Sequence, residues 1–240
     1  MSALISLEGV SKRFGYRTIL NQIRFEVHEG ESVLLLGNNG AGKSTLLRLI
    51  SSLSRPTSGR LCYRGQPYAD CHLELLANLG VLSHESRFYP DLSAEENLRL
   101  YGRLYQVHGL SQKVPEVLEE VRLSHVKQAP VRTFSSGMTK RLMIARLMLY
   151  QPPLLLLDEP YTGLDQTSVS WLQQWLREHV HAGGSLLLVT HQLELGLAVS
   201  NRVLLLHQQG LRRDRPVDAV SLEECASWLN DGVHYLPAEG

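Results

Sequence analysis

Five short runs of apolar residues, without polar alternation, punctuate the chain. Runs this short, closely followed by turn residues, are typical of strands that are covered on both faces, whereas buried helix segments would be longer. The five runs are Val33–Leu36, Leu79–Leu82, Leu154–Leu157, Leu186–Val189 and Val203–Leu206. The pattern therefore predicts a parallel sheet that is flanked by helices.

Amphipathic stretches between these runs predict the helices. Ser93 with Glu96 and Ser221 with Glu224 form capping boxes that open two of them, and Asp165 can cap a third. The remaining helical stretches lie near residues 44–50, 114–123 and 139–149. Before residue 31, apolar and polar positions alternate, which predicts antiparallel strands with one wet face. We therefore expect an α/β protein with a helical insertion near residues 86–150.

Composition restricts the classes of function. The 24 basic and 24 acidic residues are interspersed, so the net charge is zero and no basic block predicts a nucleic-acid partner. Cys62, Cys71 and Cys225 lack the spacing of a metal or redox motif, and we expect three reduced structural thiols. The N-terminus lacks the pattern of a signal peptide, and no apolar run approaches the roughly 18 residues that cross a bilayer. Any membrane span is therefore expected in another chain.

The most specific motif directly follows the first apolar run. It reads Gly37-Asn38-Asn39-Gly40-Ala41-Gly42-Lys43-Ser44 and fits the pattern G-x-x-x-x-G-K-[ST] between a predicted strand and a predicted helix. Glycines allow several backbone N–H groups to point at one anion, and the helix N-terminus adds partial positive charge. Lys43 can then reach the β- and γ-phosphates, and the Ser44 hydroxyl can bind Mg²⁺. The motif predicts a nucleotide phosphate site.

Four weaker signals accompany this motif. Asp158 and Glu159 end an apolar strand, where the first carboxylate can serve Mg²⁺ and the second can face an attacking water. Phe134–Met138 precedes a helix and can expose N–H groups and a hydroxyl to an anion. Thr162–Asp165 follows the acid pair, and His191 ends another strand, where ligands bind in open α/β sheets. Taken singly, these signals have plain alternatives, such as solvated acids, a serine-rich cap or a structural histidine.

Together, the motifs resemble the ATP-binding cassette (ABC) ATPase family over about residues 3–210. The resemblance implies a P-loop NTPase (RecA-like) core with an N-terminal antiparallel β subdomain and an inserted α-helical subdomain. It also implies ATP and Mg²⁺ as ligands and ATP hydrolysis as the activity. The residues that it marks for catalysis are Lys43, Glu159 and His191, and those that it marks for Mg²⁺ are Ser44, Asp158 and His84.

The resemblance marks further residues for nucleotide binding. Those of the phosphate loop are Gly37, Asn38, Asn39, Gly40, Ala41, Gly42, Lys43, Ser44 and Thr45. Those outside it are His84 in the Q-loop, Ser135, Ser136 and Gly137 in the signature motif, and Asp165 in the D-loop. The resemblance implies that an aromatic ring stacks on adenine, and Phe14 is the candidate, with Tyr16 as the alternative. For either residue, the structural alternative is a surface aromatic in a turn.

This chain departs from the family pattern at two motifs. The usual Q-loop glutamine is replaced by His84, whose imidazole can still hydrogen-bond a metal-bound water. The signature motif carries Ser136 and Met138 where Gly and Gln are commonest, whereas Ser135 and Gly137 match the family. The resemblance assigns contact with the γ-phosphate to these two matching residues.

The resemblance also implies partners. One partner is a second copy of the chain in a head-to-tail dimer, in which each ATP would lie between the phosphate loop of one subunit and the signature motif of the other. The other partners are integral membrane permease subunits. Within the family, the chain is most similar to the haem exporter ATPases of cytochrome c maturation, at Gly80–His84, Asp91–Tyr101 and Ser135–Leu142. We expect a subunit that powers export from the cytoplasmic face of the cell membrane. The alternative is a soluble ABC ATPase of an assembly complex, such as iron–sulfur cluster assembly.

We expect a single ABC ATPase domain over residues 1–240. Its core and β subdomain would occupy about residues 1–85 and 151–210, its helical subdomain about 86–150, and a C-terminal extension 211–240. Arg87, Phe88 and Tyr89 are candidates for contact with a membrane partner, or else form a plain surface loop.

Overall fold

A six-stranded sheet forms the centre of the molecule in the computed structural model, which describes residues 3–83 and 85–230. The strands are β1 (Ala3–Phe14), β2 (Arg17–His28), β3 (Ser32–Leu36), β4 (Ser58–Tyr63), β5 (Gln66–Pro67), β6 (Leu79–Leu82), β7 (Leu154–Asp158), β8 (Ser185–Val189), β9 (Arg202–His207) and β10 (Gly210–Pro216). The order in the central sheet is β10-β9-β3-β8-β7-β6. Strands β9, β3, β8, β7 and β6 are parallel, and β10 pairs antiparallel with β9.

The five apolar runs form the five parallel strands because both faces of the sheet exclude water. Leu34 and Leu36 of β3 belong to one hydrophobic cluster, and Val33 and Leu35 belong to another on the opposite face. Every residue of β3, β7 and β8 is buried. Since neither face selects polar residues, the sequence shows no alternation. The predicted parallel sheet is confirmed.

Helices supply the layers that cover this sheet. They are α1 (Lys43–Ile50), α2 (Tyr68–Ala77), α3 (Ala94–Leu104), α4 (Leu110–Glu120), α5 (Ser136–Tyr150), α6 (Gln166–His181), α7 (Leu193–Leu197) and α8 (Leu222–Asn230). Apolar residues of α3, α4, α5, α6 and α8 join the cluster of Leu34, whereas those of α1 and α2 join the cluster of Val33. The α/β class expected from the sequence is therefore confirmed.

A second, antiparallel sheet with the order β2-β1-β4-β5 packs on the same side as α1. In β2, Ile23, Phe25 and Val27 are buried while Arg24 and Glu26 are exposed, which is the alternation read from the sequence. This confirms the predicted antiparallel strands. The sequence analysis did not predict β4, β5 and α2, which complete this part of the fold.

Helices α3, α4 and α5 pack on one another between β6 and β7. The predicted capping box opens α3, since Ser93 Oγ accepts a hydrogen bond from the Glu96 N–H at 3.2 Å and a Glu96 carboxylate oxygen accepts one from the Ser93 N–H at 2.8 Å. Helix α4 begins four residues before the predicted stretch, directly after Gly109, whose left-handed backbone starts the helix. Helix α5 begins at Ser136, three residues before the prediction.

Residues 211–230 add to the core rather than lying apart from it. Strand β10 extends the central sheet, and Cys225 and Trp228 of α8 are buried in the cluster of Leu34. At the start of α8, the Glu224 N–H donates a hydrogen bond to Ser221 Oγ at 3.0 Å, which is one half of the predicted capping box. These elements lie in the range that the sequence analysis assigns to a C-terminal extension.

No helix within residues 3–83 and 85–230 is both long and apolar enough to span a membrane.

Candidate nucleotide site

The phosphate loop connects the end of β3 to the start of α1 and depends on its glycines. Gly42 has φ +107°, a left-handed conformation that favours glycine, and a Cβ atom there would lie 2.9 Å from the Leu20 side chain. A Cβ at Gly37 would overlap the carbonyl oxygen of Leu206 on the neighbouring strand β9. At Gly40, a Cβ would meet nothing within 4 Å, so the loop faces open space there. The loop therefore has the shape of a cradle with one open side.

Lys43 is the first residue of α1 and lies across the loop. Its ammonium donates hydrogen bonds to the carbonyls of Gly37 at 2.5 Å and Asn38 at 3.1 Å. Burial lowers the pKa of Lys43, while the charges of Glu159 and Asp158 act in the opposite direction. Because the first N–H groups of a helix have no partner within the helix, the start of α1 adds donors beside this ammonium. The loop is suited to bind an anion.

A cavity of about 350 Å³ brings the phosphate loop together with the ends of β7 and β8. The predicted residues that line it are Asn39, Gly40, Gly42, Lys43, Ser44, Thr45, Asp158, Glu159 and His191. The parallel sheet explains this convergence, because the carboxyl ends of β3, β7 and β8 all lie at one edge. Residues that are more than a hundred positions apart in the chain thus share one site.

Glu159 has an unusual backbone and a partly satisfied side chain. Its φ is +51°, a left-handed conformation that is uncommon for a residue with a Cβ atom. One carboxylate oxygen lies 3.4 Å from both Thr190 Oγ1 and the His191 N–H. The other is buried without a hydrogen-bond partner, 3.5 Å from His191 Nε2. A buried oxygen in this state can accept a hydrogen bond from a bound water or ligand.

The neighbouring groups fit a divalent cation that binds oxygen. Asp158 is buried at the end of β7, and the exposed hydroxyl of Ser44 lines the same cavity. Within the part of the chain that the structure describes, no three His, Cys, Asp or Glu side chains group into a metal site. One carboxylate and one hydroxyl are suitable ligands for Mg²⁺, which usually takes its remaining ligands from water and from the phosphate oxygens of the substrate. His84, the third predicted Mg²⁺ residue, lies outside the described residues.

The signature residues lie apart from this cavity. Ser135 caps α5, with its Oγ accepting a hydrogen bond from the Met138 N–H at 3.2 Å, and both Ser135 and Ser136 are exposed. Among the described residues that line the phosphate-loop cavity, none belongs to Phe134–Met138. Gly137 instead abuts the D-loop, since a Cβ there would lie 2.9 Å from the carbonyl oxygen of Gly163. Within one chain, the phosphate loop and the signature therefore form two separate surfaces.

Asp165 caps α6, as its sequence position predicts. Its carboxylate accepts a hydrogen bond from the Ser168 N–H at 2.7 Å, and hydrogen bonds from Ser168 hold the pKa of Asp165 below its usual value. The carboxylate is thus already engaged in a local structural role. Its predicted contact with nucleotide stays a prediction.

The two candidate aromatic rings differ in position. Tyr16 lines a second cavity, of about 600 Å³, that borders the phosphate loop and also contains Asn38 and Ala41. The Phe14 ring is 57% exposed, and the ammonium of Lys12 lies 4.9 Å from its centroid. Arg17, which the sequence analysis did not single out, lines both cavities. Arg17 begins β2 directly after Tyr16, and no sequence pattern distinguished it from other surface arginines.

Comparison with known proteins agrees with this architecture. The family model described as "ABC transporter" matches residues 20–162. The Nod factor export ATP-binding protein I of Cupriavidus pinatubonensis is 36% identical over 196 residues, which cover 81% of this chain and 60% of that protein. The linearmycin resistance ATP-binding protein LnrL of Bacillus subtilis is 34% identical over 193 residues, which cover 80% of this chain and 62% of that protein.

Solved structures show the same fold. One described as the ATP binding subunit of an ABC transporter has a TM-score of 0.87 at 29% identity, over 95% of this chain and all of that chain (100%). The ATP-binding cassette MJ0796 has a TM-score of 0.79 at 24% identity, over 89% of this chain and 98% of that chain, a likeness of fold. The fold and the phosphate loop define a P-loop NTPase. More narrowly, the chain belongs to the ABC transporter family. It spans about 60% to 65% of the length of the Nod factor relatives that it matches.

Proposed function

We propose that this chain is the ATP-binding and ATP-hydrolysing subunit of an ABC transporter and that it powers export across a membrane. The single observation that carries the proposal is that Glu159, which has a buried carboxylate oxygen without a hydrogen-bond partner, lines the same cavity as Lys43. A carboxylate that can accept a proton and a cation that can bind phosphate are the two groups that ATP hydrolysis requires from the protein.

In this proposal, the phosphate loop positions the substrate ATP. The glycine-lined loop and the N-terminus of α1 offer N–H groups to the β- and γ-phosphates, and Lys43 neutralises part of their charge. Ser44 and Asp158 are the residues that would hold Mg²⁺, which neutralises charge on the phosphate oxygens when it is bound. Little covalent chemistry is left for the protein, because phosphoryl transfer has a loose transition state.

Glu159 orients or deprotonates the attacking water in this mechanism. Thr190 and the His191 N–H hold one oxygen of the carboxylate, and the other is buried without a hydrogen-bond partner. His191 is half exposed and lies beside that oxygen, so its imidazole can contact the γ-phosphate. Assistance of this kind by a positioned base is worth about 10²–10⁴-fold in rate.

A second copy of the chain completes the site. The signature residues Ser135 and Gly137 lie at the exposed start of α5, away from the phosphate loop of their own chain. In a head-to-tail dimer they would cover the nucleotide that the other chain holds. The γ-phosphate would then join the two subunits, and its loss after hydrolysis would let them separate.

A groove beside the Q-loop segment is the proposed contact for a permease. It has a volume of about 320 Å³ and is lined in part by Glu85, Arg87, Tyr101 and Arg146. Of the three residues expected to touch a membrane partner, Phe88 is buried against Tyr101 and Arg146. Tyr89 is exposed, so it and Arg87 are the side chains of this segment that a partner can reach. This contact would place the chain on the cytoplasmic face of a membrane.

Export is favoured as the direction of transport because two relatives carry names for export and for antibiotic resistance. The finer assignment to haem export stays a prediction from the sequence motifs, and these relatives are named for other compounds. An assembly complex without a membrane subunit is the competing outcome of the test below.

The test compares the wild-type chain with Lys43→Ala, in both ATPase activity and co-purification from membranes. We expect the wild type to hydrolyse ATP and to be retained on membranes through a hydrophobic subunit. Lys43→Ala should lose at least about 100-fold in turnover, since a charged donor at the transferred phosphate is removed.

The matched control is Lys113→Ala, which changes an exposed lysine of α4. It should leave turnover unchanged. Normal ATP hydrolysis by Lys43→Ala would overturn the proposed site, and co-purification with water-soluble subunits alone would overturn the transport role.

A further inference from the structure

Lys140 joins the signature helix to the backbone of the proposed catalytic carboxylate. It lies on α5, and its ammonium donates a hydrogen bond to the carbonyl oxygen of Glu159 at 2.9 Å. Residues 140 and 159 come from different elements, the signature helix and the end of β7. Lys140 is half-buried, unlike most lysines, which extend into solvent.

The bond from Lys140 helps to hold the uncommon left-handed backbone conformation of Glu159. The Glu159 N–H donates to the carbonyl of Val189 at 2.9 Å, which ties the residue to β8. Its own carbonyl accepts a short hydrogen bond from the Lys140 ammonium at 2.9 Å and a longer one from the Thr162 N–H at 3.4 Å. A left-handed φ at a residue with a Cβ atom persists only where the surroundings hold it. Because φ sets the direction of the side chain, the bonds from Lys140 and to Val189 help to set where the Glu159 carboxylate points.

Lys140 binds the main chain of Glu159 and leaves its carboxylate available. The ammonium uses the backbone carbonyl as its acceptor, while one carboxylate oxygen stays buried without a hydrogen-bond partner. The charges of Glu159 and Asp158 favour the protonated form of Lys140, although burial is the larger influence and lowers its pKa. The residue thus holds the Glu159 main chain without occupying the carboxylate oxygen that lacks a hydrogen-bond partner.

A second contact ties the same helix to the loop after Glu159. Gly137, one turn before Lys140 on α5, lies against the carbonyl of Gly163 so closely that a Cβ would be 2.9 Å away. The start of α5 therefore touches the β7–α6 connection at two places, Glu159 and Gly163. A movement of the start of α5, which carries the exposed Ser135, would therefore disturb at least one of these two contacts.

We propose that Lys140 is a positioning residue that aligns Glu159 according to the position of the signature helix. In the dimer, the signature of one chain covers the nucleotide held by the partner, whereas Glu159 serves the nucleotide of its own chain. Lys140 therefore links closure at one nucleotide site to the alignment of the carboxylate at the other. This inference rests on the proposed function, because it assigns Lys140 a task in the same hydrolysis.

The test uses Lys140→Met, which keeps side-chain length and helix propensity and removes the ammonium, and Lys140→Arg, which keeps a charged donor. Displacement of a reacting group by about 1 Å can cost on the order of 100-fold, so Lys140→Met should lower kcat at least about tenfold. The KM for ATP and the melting temperature should change little. Lys140→Arg should recover most of the lost kcat. In Lys140→Met, the rate should also depend less cooperatively on ATP concentration.

A double variant separates this role from a general structural one. In the Glu159→Gln background, Lys140→Met should cause little further loss, because two residues that act through one step are not additive. Lys113→Met serves as the control for removal of a lysine from a helix of the same region, and it should retain wild-type kcat. If Lys140→Met does not fold, Lys140→Gln is measured by the same criteria, since its side chain is too short to reach the Glu159 carbonyl.

Two results would overturn the inference. One is a kcat within about twofold of wild type in Lys140→Met, and the other is an equal loss in the wild-type and Glu159→Gln backgrounds. Absence of ATPase activity in the wild-type chain would instead overturn the proposed function, so the two failures are distinguishable.

Discussion

The two surfaces that would meet across a dimer are built in different ways. The phosphate-loop surface stands at the ends of three buried parallel strands. Backbone carbonyls hold its Lys43 ammonium, and a hydroxyl and a backbone N–H hold its Glu159 carboxylate. The signature surface is an exposed helix start whose Ser135 hydroxyl serves as a local cap. The first is held by contacts within one chain, whereas in the proposed dimer the second would offer donors to the nucleotide of the other chain.

This difference indicates how work is divided within the chain. A group that acts on a phosphate needs a fixed position and low access to water, which strand ends beneath a helix layer provide. A surface that closes and opens needs exposed donors and little interface of its own. The contacts of α5 with Glu159 and Gly163 are where the two kinds of surface meet inside one subunit.

The largest effect is expected on the phosphate-loop surface, in Glu159→Gln. The amide preserves shape and can still bond to Thr190, but it cannot accept a proton from water. We expect turnover to fall by at least about 100-fold while ATP binding is retained. Measured by phosphate release and by size-exclusion chromatography with ATP, the variant should accumulate as an ATP-bound dimer. Turnover close to wild type would mean that another carboxylate serves as the base.

A smaller effect is expected on the signature surface, in Gly137→Ala. The added methyl group would lie 2.9 Å from the Gly163 carbonyl, so the helix start must move away from the D-loop. We expect roughly a tenfold loss of turnover, with ATP binding to the single chain unchanged. Alanine is the better helix former by about 1 kcal/mol, so loss of folding is not the expected cause.

Two controls sharpen this experiment. Gly210→Ala adds a methyl group where nothing lies within 4 Å and should leave turnover unchanged. Mixing Gly137→Ala with Lys43→Ala should restore part of the activity, because a mixed dimer contains one phosphate loop and one signature that are both intact. No recovery in the mixture would contradict the head-to-tail arrangement.

The smallest effect concerns the sheet that supports the phosphate-loop surface. His179 of α6 lies 3.4 Å from the carbonyl of Ser185, where β8 begins, and burial lowers the pKa of this histidine. Its neutral form is therefore favoured by folding, and its contribution to stability is complete above the usual histidine pKa and is lost as the pH falls below it. The free energy of unfolding should decrease on acidification.

This decrease should be a fraction of the about 1.4 kcal/mol per pH unit that uptake of one whole proton would cause. Urea unfolding of wild type and His179→Gln between pH 7.5 and 5.5 measures it, and the variant should lose less stability. His181→Gln, at an exposed position two residues away on the same helix, is the control. An identical pH response in wild type and His179→Gln would refute the assignment.

Much of this architecture was predictable because the informative patterns are local. Continuous apolar runs identified the parallel strands, since burial on both faces removes polar residues. The elements that were missed carry weak patterns: β4 begins with three exposed residues, and α2 buries only Cys71 and Leu75. Such elements form because β1 and α1 offer them a surface, and that surface is distant in sequence.

The candidate site also has parts that were predictable from local sequence and parts that were not. The position of the phosphate loop between a strand and a helix was predictable, because the loop arises from closely spaced glycines, a lysine and a helix start. The burial of Phe88 and the position of Tyr16 beside the loop were not, because they depend on neighbours from other elements. Arg17 carried no signal that would set it apart from other surface arginines.

The sequence by itself determined the parallel strands, the phosphate loop and the acids at the end of β7, because each depends on the chemistry of adjacent residues. Only the tertiary structure decided that Lys140 reaches the Glu159 carbonyl and that Gly137 lies against Gly163. Contacts of this kind follow from how helices pack against strand ends. Packing depends on the shapes of surfaces that the whole chain assembles, which no short stretch of residues specifies.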